Sequence, residues 1–361
     1  MKTILIDIGH PAHVHLFRNL YALLIQDSFR VIVSVRKKEY VIALLNHYNI
    51  EHVTYGTAQK GLMNKIINWF SNIRKLSSIH SAYKPIISIG NSSFYAAQVA
   101  LWHKTYAITL EDTGNKDQVL LYKYITDLIL SPSLLSKNFG TRQIKYPGID
   151  EMTYLHPNYY KPDRSILNEL SLEEGDCFSI IRFIAHHASH EIGDMGIKSQ
   201  TKIGLINTIA SFGPVFITSE DQLPSELEKY QYPLPPETIH HAIYYSSLVF
   251  GESSTMSSEA AILGTPFVFI NESDFDYTTA FEVQYQLGYN FTGKSYSIDK
   301  AIVKAAEILC ANNKSEYQKR AKKFISESID VTAFLFWLIT NYPQSINQLK
   351  TDPNVFDPFY N

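Results

Sequence analysis

The chain has 361 residues, which is enough for two domains that each bury a hydrophobic core. Its formal net charge is −3, and this balance argues against a nucleic-acid-binding surface, so we expect no nucleic-acid partner. Two cysteines are too few for a disulfide framework, and no segment approaches the roughly 20 consecutive apolar residues of a membrane span. We therefore expect a cytoplasmic protein.

Short apolar runs alternate with longer amphipathic segments in the first part of the chain. The runs have the length of buried strands, and the segments have apolar residues at helical spacing. The predicted strands are Thr3–Ile8, Arg30–Val35, Pro85–Ile89, Tyr106–Leu110 and Asp127–Leu130. The predicted helices are His15–Ile25, Lys38–His47, Leu62–Ile79 and Phe94–Trp102. This order is typical of βαβ units and predicts a parallel sheet.

The same alternation begins again after a segment rich in proline, Tyr146–Asp163, which we interpret as an inter-domain linker. The second set of predicted strands is Phe178–Phe183, Pro214–Thr218, Leu248–Phe250 and Pro266–Ile270, and the helices are Thr201–Ser211, Thr255–Leu263 and Ser297–Asn312. We predict an α/β protein with two Rossmann-like, doubly wound domains facing a cleft. The domains are residues 1–150 and 164–328, and we expect residues 329–361 to pack back on the first domain.

The strongest motif runs from Gly251 to Pro266, where a strand is followed by a run of small hydroxyl residues, a helix and a Gly-x-Pro exit. Unpaired amides and the positive dipole end make such a helix start an anion site. We predict a diphosphate site there. Its candidate residues are Ser253, Ser254, Thr255, Met256 and Ser257. Glu259, one turn further, is a candidate for two vicinal hydroxyls of a ribose; the alternative is an ordinary capped helix with Glu259 on a solvated face.

This order of features resembles the nucleotide-sugar site of GT-B-fold proteins. They include the lipid-intermediate N-acetylglucosaminyltransferase of peptidoglycan synthesis and the non-hydrolysing UDP-GlcNAc 2-epimerases. The resemblance implies that Glu259 holds the ribose and that the amides of Ser254, Thr255 and Met256 bind phosphate. The epimerases also show a His-Arg-x-Glu-Asn pattern, which this sequence lacks.

The whole chain is more similar still to the DUF354 proteins of archaea and bacteria. The matching stretches span nearly the full length: DIGHPAHVHLF (7–17), YPG (146–148), YLHPN (154–158), RF (182–183), ASHEIG (188–193), PPE (235–237), IHHAIYY (239–245) and DVTAFLFW (330–337).

The loop after the first strand, Gly9-His-Pro-Ala-His-Val-His15, is a second candidate site. Pro11 suits a helix start, which places His10 and His13 near the positive dipole end. A lowered histidine pKa there favours the neutral imidazole, which can take a proton from an acceptor hydroxyl. His13 is our first candidate base and His10 our second. The alternative is that one histidine caps the turn and the others pack.

Five further candidate residues lie in or just after predicted strands. Arg182 suits either bidentate pairing with a phosphate or a structural ion pair. His187 and His190, in the loop after it, are candidate diphosphate contacts. Glu111 and Asp112 are alternative bases to His13; the other interpretation is an Asx-type turn formed by Asp112 and Gly114.

We expect neither a metal nor a cofactor. The spacing of His10, His13 and His15 lacks the companion ligands of a zinc site, and we interpret Asp274-Phe275-Asp276 as a chance match to a metal-binding pair. The basic amphipathic stretch 60–76 either packs on the sheet or makes a peripheral contact with the inner face of the membrane.

The leading hypothesis is a glycosyltransferase of polysaccharide biosynthesis. Its partners are a nucleotide-sugar donor, most simply a UDP-sugar, and a carbohydrate or lipid-linked acceptor. The alternatives are a nucleotide-sugar 2-epimerase or hydrolase, and a non-catalytic sensor of nucleotide-sugars.

Overall fold

The computed structural model describes residues 1–57, 62–184 and 199–360. The chain forms two compact units. Unit 1 comprises Met1–Tyr159 together with Glu327–Asn361, and unit 2 comprises Tyr160–Ser326. That the two domains face a cleft stays a prediction.

The strands are β1 (Thr3–Ile8), β2 (Arg30–Lys37), β3 (His52–Thr57), β4 (Ile87–Asn91), β5 (Tyr106–Leu110), β6 (Leu128–Pro132), β7 (Gln143–Tyr146), β8 (Ser179–Phe183), β9 (Val215–Ser219), β10 (Leu248–Gly251), β11 (Phe267–Asn271) and β12 (Gly288–Thr292). The helices are α1 (Pro11–Gln26), α2 (Glu39–His47), α3 (Leu62–Tyr83), α4 (Phe94–His103), α5 (Lys116–Leu120), α6 (Met152–Leu155), α7 (Ser165–Glu169), α8 (Ser199–Ala210), α9 (Ile239–Tyr245), α10 (Ser254–Ile262), α11 (Asp276–Val283), α12 (Ile298–Ala311), α13 (Lys314–Ser326), α14 (Val331–Thr340) and α15 (Gln344–Thr351).

Unit 1 is built on a seven-stranded parallel sheet in the order β3-β2-β1-β4-β5-β6-β7. The central strands β1, β4 and β6 are buried along their whole length, because helices cover both faces of a sheet built from crossover connections. The strand order reverses between β1 and β4. Ligands of open parallel sheets bind outside the carboxyl ends of the strands at such a reversal.

The C-terminal segment completes unit 1. The Asp330 side chain caps α14 by accepting from the Ala333 amide at 2.8 Å, and α14 packs on α1 and α6. The Thr332 hydroxyl donates to the carbonyl oxygen of Thr153 at 2.8 Å. Residues 146–155, which fall in the segment interpreted as a linker, are buried in this unit, and they form the surface that α14 covers.

Unit 2 is built on a five-stranded parallel sheet in the order β12-β11-β10-β8-β9, which reverses between β10 and β8. Gly251 ends β10 at this reversal. A Cβ atom there would lie 2.3 Å from the carbonyl oxygen of Arg182 on β8, so the two strands approach too closely for any side chain. The two parallel sheets confirm the predicted α/β class with two Rossmann-like domains.

Among the described residues, no helix combines the length and the apolar character that crossing a bilayer requires. Of the stretch 60–76 proposed for peripheral membrane contact, residues 60 and 61 lie outside the described residues. Further along α3, the Phe70 side chain is 63% exposed.

Candidate functional site

The start of α10 lies at the carboxyl end of β10, at the strand reversal of unit 2. Ser253 is extended and caps the helix, with its hydroxyl oxygen accepting from the Met256 amide at 3.3 Å. Helix geometry leaves the amides of Ser254 and Thr255 without an intrahelical carbonyl partner. Thr255 is exposed and Ser254 is half-buried, so the first turn of α10 is partly open to solvent. The amide of Met256 is occupied by the cap. Two of the three predicted amides therefore remain for a phosphate.

Two further predicted residues of α10 are buried. The Ser257 hydroxyl donates to the carbonyl oxygen of Ser253 at 2.9 Å and so tightens the first turn. Glu259 is 7% exposed and does not lie on a solvated face. Its Oε1 lies 2.9 Å from Nε2 of His240, a buried residue of α9. An ionised carboxylate only accepts, so the imidazole is the donor.

Strand β8 is a neighbour of β10 in the sheet, so the carboxyl end of β8 lies beside the start of α10. The Arg182 guanidinium pairs with Glu220 at 2.7 Å, which is the structural ion pair that the sequence left open. Glu252 is buried and accepts from the Ile184 amide at 3.3 Å, while its own amide donates to the carbonyl oxygen of Arg182. His187 and His190 lie outside the described residues.

In unit 1, the first loop places two predicted histidines at the start of α1. His10 is the N-cap, and its Nδ1 accepts from the Ala12 amide at 3.3 Å; Nδ1 of His13 accepts from the Gly9 amide at 3.3 Å. A neutral imidazole that accepts at Nδ1 carries its proton on Nε2. Burial lowers the pKa of His13 to about 3, with further lowering from His10, Arg36 and Lys38. His13 is therefore a neutral donor at Nε2, which suits hydrogen bonding to a ligand better than proton abstraction.

Glu111, at the end of β5, is fully buried and surrounded by donors. Its carboxylate accepts from the amides of Thr113 at 3.0 Å and Gly114 at 2.7 Å, and from the hydroxyl of Ser92 at 2.6 Å. The hydroxyls of Thr113 and Tyr122 complete the set. These five hydrogen bonds fix the carboxylate in place, so Glu111 organises the loop after β5.

Asp112 lies beside a second carboxyl group, that of Asp150, in the loop after β7. Burial raises the pKa of Asp112 to about 6, and the charge of Glu111 adds to the effect. Burial also raises the pKa of Asp150, which accepts from Asn91 Nδ2 at 3.1 Å and from the Tyr146 hydroxyl. Sequence reasoning missed Asp150 because it falls in the segment interpreted as a linker. The two carboxyl groups thus lie together in unit 1, and burial raises the pKa of both.

Asp7 of β1 is a further polar residue that sequence reasoning missed. It is 2% exposed and accepts from the hydroxyls of Ser34 at 2.7 Å, Tyr55 at 3.4 Å and Ser93. Burial raises the pKa of its carboxyl group. The available signal was one acid within the otherwise apolar run TILIDI.

Two parallel-sheet domains of this kind define the GT-B class of fold, and solved GT-B structures superpose on nearly the whole chain. S. aureus MnaA with UDP has a TM-score of 0.67 at 14% identity, covering 96% of this chain and 98% of that one. The Neisseria meningitidis UDP-GlcNAc 2-epimerase bound to UDP-GlcNAc has a TM-score of 0.64 at 13% identity, covering 94% and 100%. The spinosyn forosaminyltransferase SpnP has a TM-score of 0.65 at 10% identity, also covering 94% and 100%.

Sequence similarity identifies the family of the chain. The profile of the DUF354 family, described as proteins of unknown function, matches residues 2–342, so the chain belongs to this family. An uncharacterised protein of Methanocaldococcus jannaschii, MJ0665, is 26% identical over 274 residues, which cover 73% of this chain and 80% of the relative. The resemblance seen in the sequence is confirmed.

Proposed function

We propose that this protein is a GT-B-type glycosyltransferase that moves a sugar from a UDP-linked donor to a polysaccharide or lipid-linked acceptor. The observation that carries the proposal is the start of α10 at the strand reversal of unit 2. The amides of Ser254 and Thr255, with the positive end of the helix dipole, suit a diphosphate. The UDP and UDP-GlcNAc held by proteins of the same fold support this choice of ligand.

Glu259 is the proposed ribose contact. His240 fixes the carboxylate by a hydrogen bond, and a carboxylate is an acceptor that suits the two vicinal hydroxyls of a ribose. The buried His240 thus fixes the Glu259 carboxylate, which is proposed to accept hydrogen bonds from the ribose. Glu259 lies on the same helix as the proposed diphosphate site.

The proposed reaction breaks the bond between the sugar and the diphosphate and forms a bond from the sugar to an acceptor hydroxyl. The UDP leaving group takes the electron pair and is stabilised by the start of α10. Asp112 takes the proton from the acceptor hydroxyl. Its pKa of about 6 is near working pH, where a general base is most effective.

The donor site can be tested by removing one amide. Proline is tolerated in the first turn of a helix, and Ser253 already has the extended conformation that a following proline requires. Ser254→Pro therefore deletes one N–H group while the helix is kept, and Ser254→Ala is the matched control that keeps the amide. By isothermal titration calorimetry we expect UDP to bind Ser254→Pro about 10- to 100-fold more weakly than the wild type and Ser254→Ala almost normally. Equal UDP affinity in all three folded proteins would refute the site.

One observation favours a second candidate function, a nucleotide-sugar 2-epimerase or hydrolase. Asp112 and Asp150 form a pair of carboxyl groups with raised pKa values, as proton removal and return at a sugar carbon require. Incubation with UDP-GlcNAc alone separates the two functions, because an epimerase or hydrolase turns over without an acceptor. Proton NMR of the sugar would show epimer or free sugar in that case and unchanged donor for a transferase.

A further inference from the structure

Three basic side chains lie together at the carboxyl ends of β1 and β2, and we call them the cationic cluster: His13, Arg36 and Lys38. A Cβ atom built on Gly9 would lie 2.7 Å from Nη2 of Arg36 and 3.9 Å from Cε1 of His13, so the guanidinium and the imidazole meet above this glycine. Burial lowers the pKa of Lys38, and the nearby Arg36 charge lowers it further. Burial also lowers the pKa of His13, and both cations add to that effect. Two cations and one neutral imidazole are thus gathered at one point.

The cluster presents a buried donor that lacks a matching acceptor among the described residues. Nε of Arg36 is buried and has no hydrogen-bond partner among the described residues, while the guanidinium lies over the Tyr95 ring at 5.4 Å. His13 accepts at Nδ1 and so presents a donor at Nε2. The neighbouring acid, Asp7, already accepts from three hydroxyl groups. A buried donor without an acceptor is costly, and a bound anion would remove that cost.

The position and charge of the cluster specify the anion. It lies beside β1, where the strand order of unit 1 reverses, and at the positive end of the α1 dipole. A guanidinium offers two parallel donors, and a lysine adds a point charge. Two full positive charges exceed what one carboxylate neutralises, whereas a phosphate monoester carries nearly two negative charges.

We infer that the cationic cluster binds a phosphate group, and, resting on the proposed function, that this phosphate belongs to the acceptor substrate. The donor diphosphate is proposed to bind α10 in the other unit, so the cluster adds a second phosphate subsite. The acceptor is then a phosphorylated molecule, either a sugar phosphate or a lipid phosphate.

The test is calorimetric titration of inorganic phosphate into the protein saturated with UDP, so that the α10 site is filled. We expect Arg36→Gln and Lys38→Gln each to weaken phosphate binding at least about tenfold. The matched control is Arg30→Gln, at the other end of β2, where the guanidinium lies over the Tyr83 ring at 4.7 Å and no change is expected. Lys38 provides no side-chain cap for α2, so its variant should fold even if Arg36→Gln does not.

Two results would overturn the inference: equal phosphate affinity in the wild type and both cluster variants, or phosphate binding that saturating UDP abolishes. If UDP itself fails to bind, the proposed function is lost, but the titration without UDP still decides whether Arg36 and Lys38 bind phosphate. Titration of geranyl phosphate as a second probe distinguishes a lipid phosphate from a soluble sugar phosphate. Tighter binding than inorganic phosphate supports a lipid-linked acceptor, and equal binding supports a soluble phosphorylated one.

Discussion

Nε2 of His240 donates to the carboxylate of Glu259 at 2.9 Å, and both side chains are buried. The two residues belong to different helices, α9 and α10, so the bond joins these helices and fixes the position of the carboxylate. A buried carboxylate that loses its donor bears the full cost of its lost hydration.

His240→Ala should therefore lower the free energy of unfolding by about 1–3 kcal/mol and weaken UDP binding, since the proposed ribose contact loses its anchor. Urea denaturation measures the first effect and calorimetry the second. His240→Gln, which keeps an N–H donor, should recover part of both. A His240→Ala protein with normal stability and normal UDP affinity would show that the pair has neither role.

Asp112→Asn should reveal opposite effects of pH on stability and activity. A carboxyl group whose folded pKa is raised to about 6 stabilises the fold below about pH 4 and loses that contribution as the pH rises through 6. The stability of the wild type relative to Asp112→Asn should thus fall by up to about 3 kcal/mol between pH 4 and pH 7. Denaturation series at several pH values measure this change.

The catalytic rate should show the reverse dependence, because the base must be ionised. The kcat/KM of the wild type should rise as the pH passes through about 6, and Asp112→Asn should lower it by about 10²- to 10⁴-fold. Asp117→Asn, on exposed α5, is the matched control. Asp112→Asn with the wild-type rate would exclude this base.

Gly251→Ala should destabilise unit 2 by about 1–3 kcal/mol, because its Cβ would lie 2.3 Å from a backbone oxygen of β8 that cannot move aside. Separation of β10 from β8 would also displace α10 and weaken UDP binding. The control is Gly204→Ala in α8, where a Cβ meets nothing within 4 Å and helix propensity predicts a gain of up to about 1 kcal/mol. Thermal unfolding with and without UDP measures both effects in the two variants. A Gly251→Ala protein as stable as the wild type would contradict the close approach of β10 to β8.

Lys314→Met should change the alkaline pH dependence of stability. The Lys314 ammonium donates to the carbonyl oxygens of Tyr244 and Ser246 at the end of α9, the second at 2.6 Å, and burial lowers its pKa to about 7. The unfolded lysine stays protonated to about pH 10, so wild-type stability should rise between pH 7 and pH 10. Lys314→Met should lose that rise, and an equal slope in both proteins would show that Lys314 keeps its ordinary pKa.

The sequence predicted the interior of both sheets and missed three of their edges. Strands β3, β7 and β12 were not predicted, and each lies at the end of its sheet. Their sequences, HVTYGT, QIKY and GYNFT, mix polar and apolar residues, because an edge strand is covered less completely than a central one. The buried runs of β1 and β4, by contrast, are visible in the sequence because helices enclose them on both faces.

In the candidate site, features set by neighbouring residues could be predicted from the sequence, whereas contacts between distant elements could not. The start of α10 follows from neighbouring residues: the sequence predicts it at Thr255, and the helix begins at Ser254. The pairing of Glu259 with His240, and the clustering of Arg36 with His13, join residues from different elements and leave no periodic pattern in the sequence. Tertiary packing alone determines them.

The chain leaves unit 1 at Tyr159 and returns to it at Glu327. A ribosome therefore releases all of unit 2 before it delivers α14, the helix that Asp330 caps and that covers α1. Domains usually fold in order from the N-terminus during translation. Here unit 2 can fold first, while unit 1 keeps an uncovered apolar surface until α14 has been synthesised. Nascent chains stalled before residue 327 should consequently depend on chaperones that shield this surface.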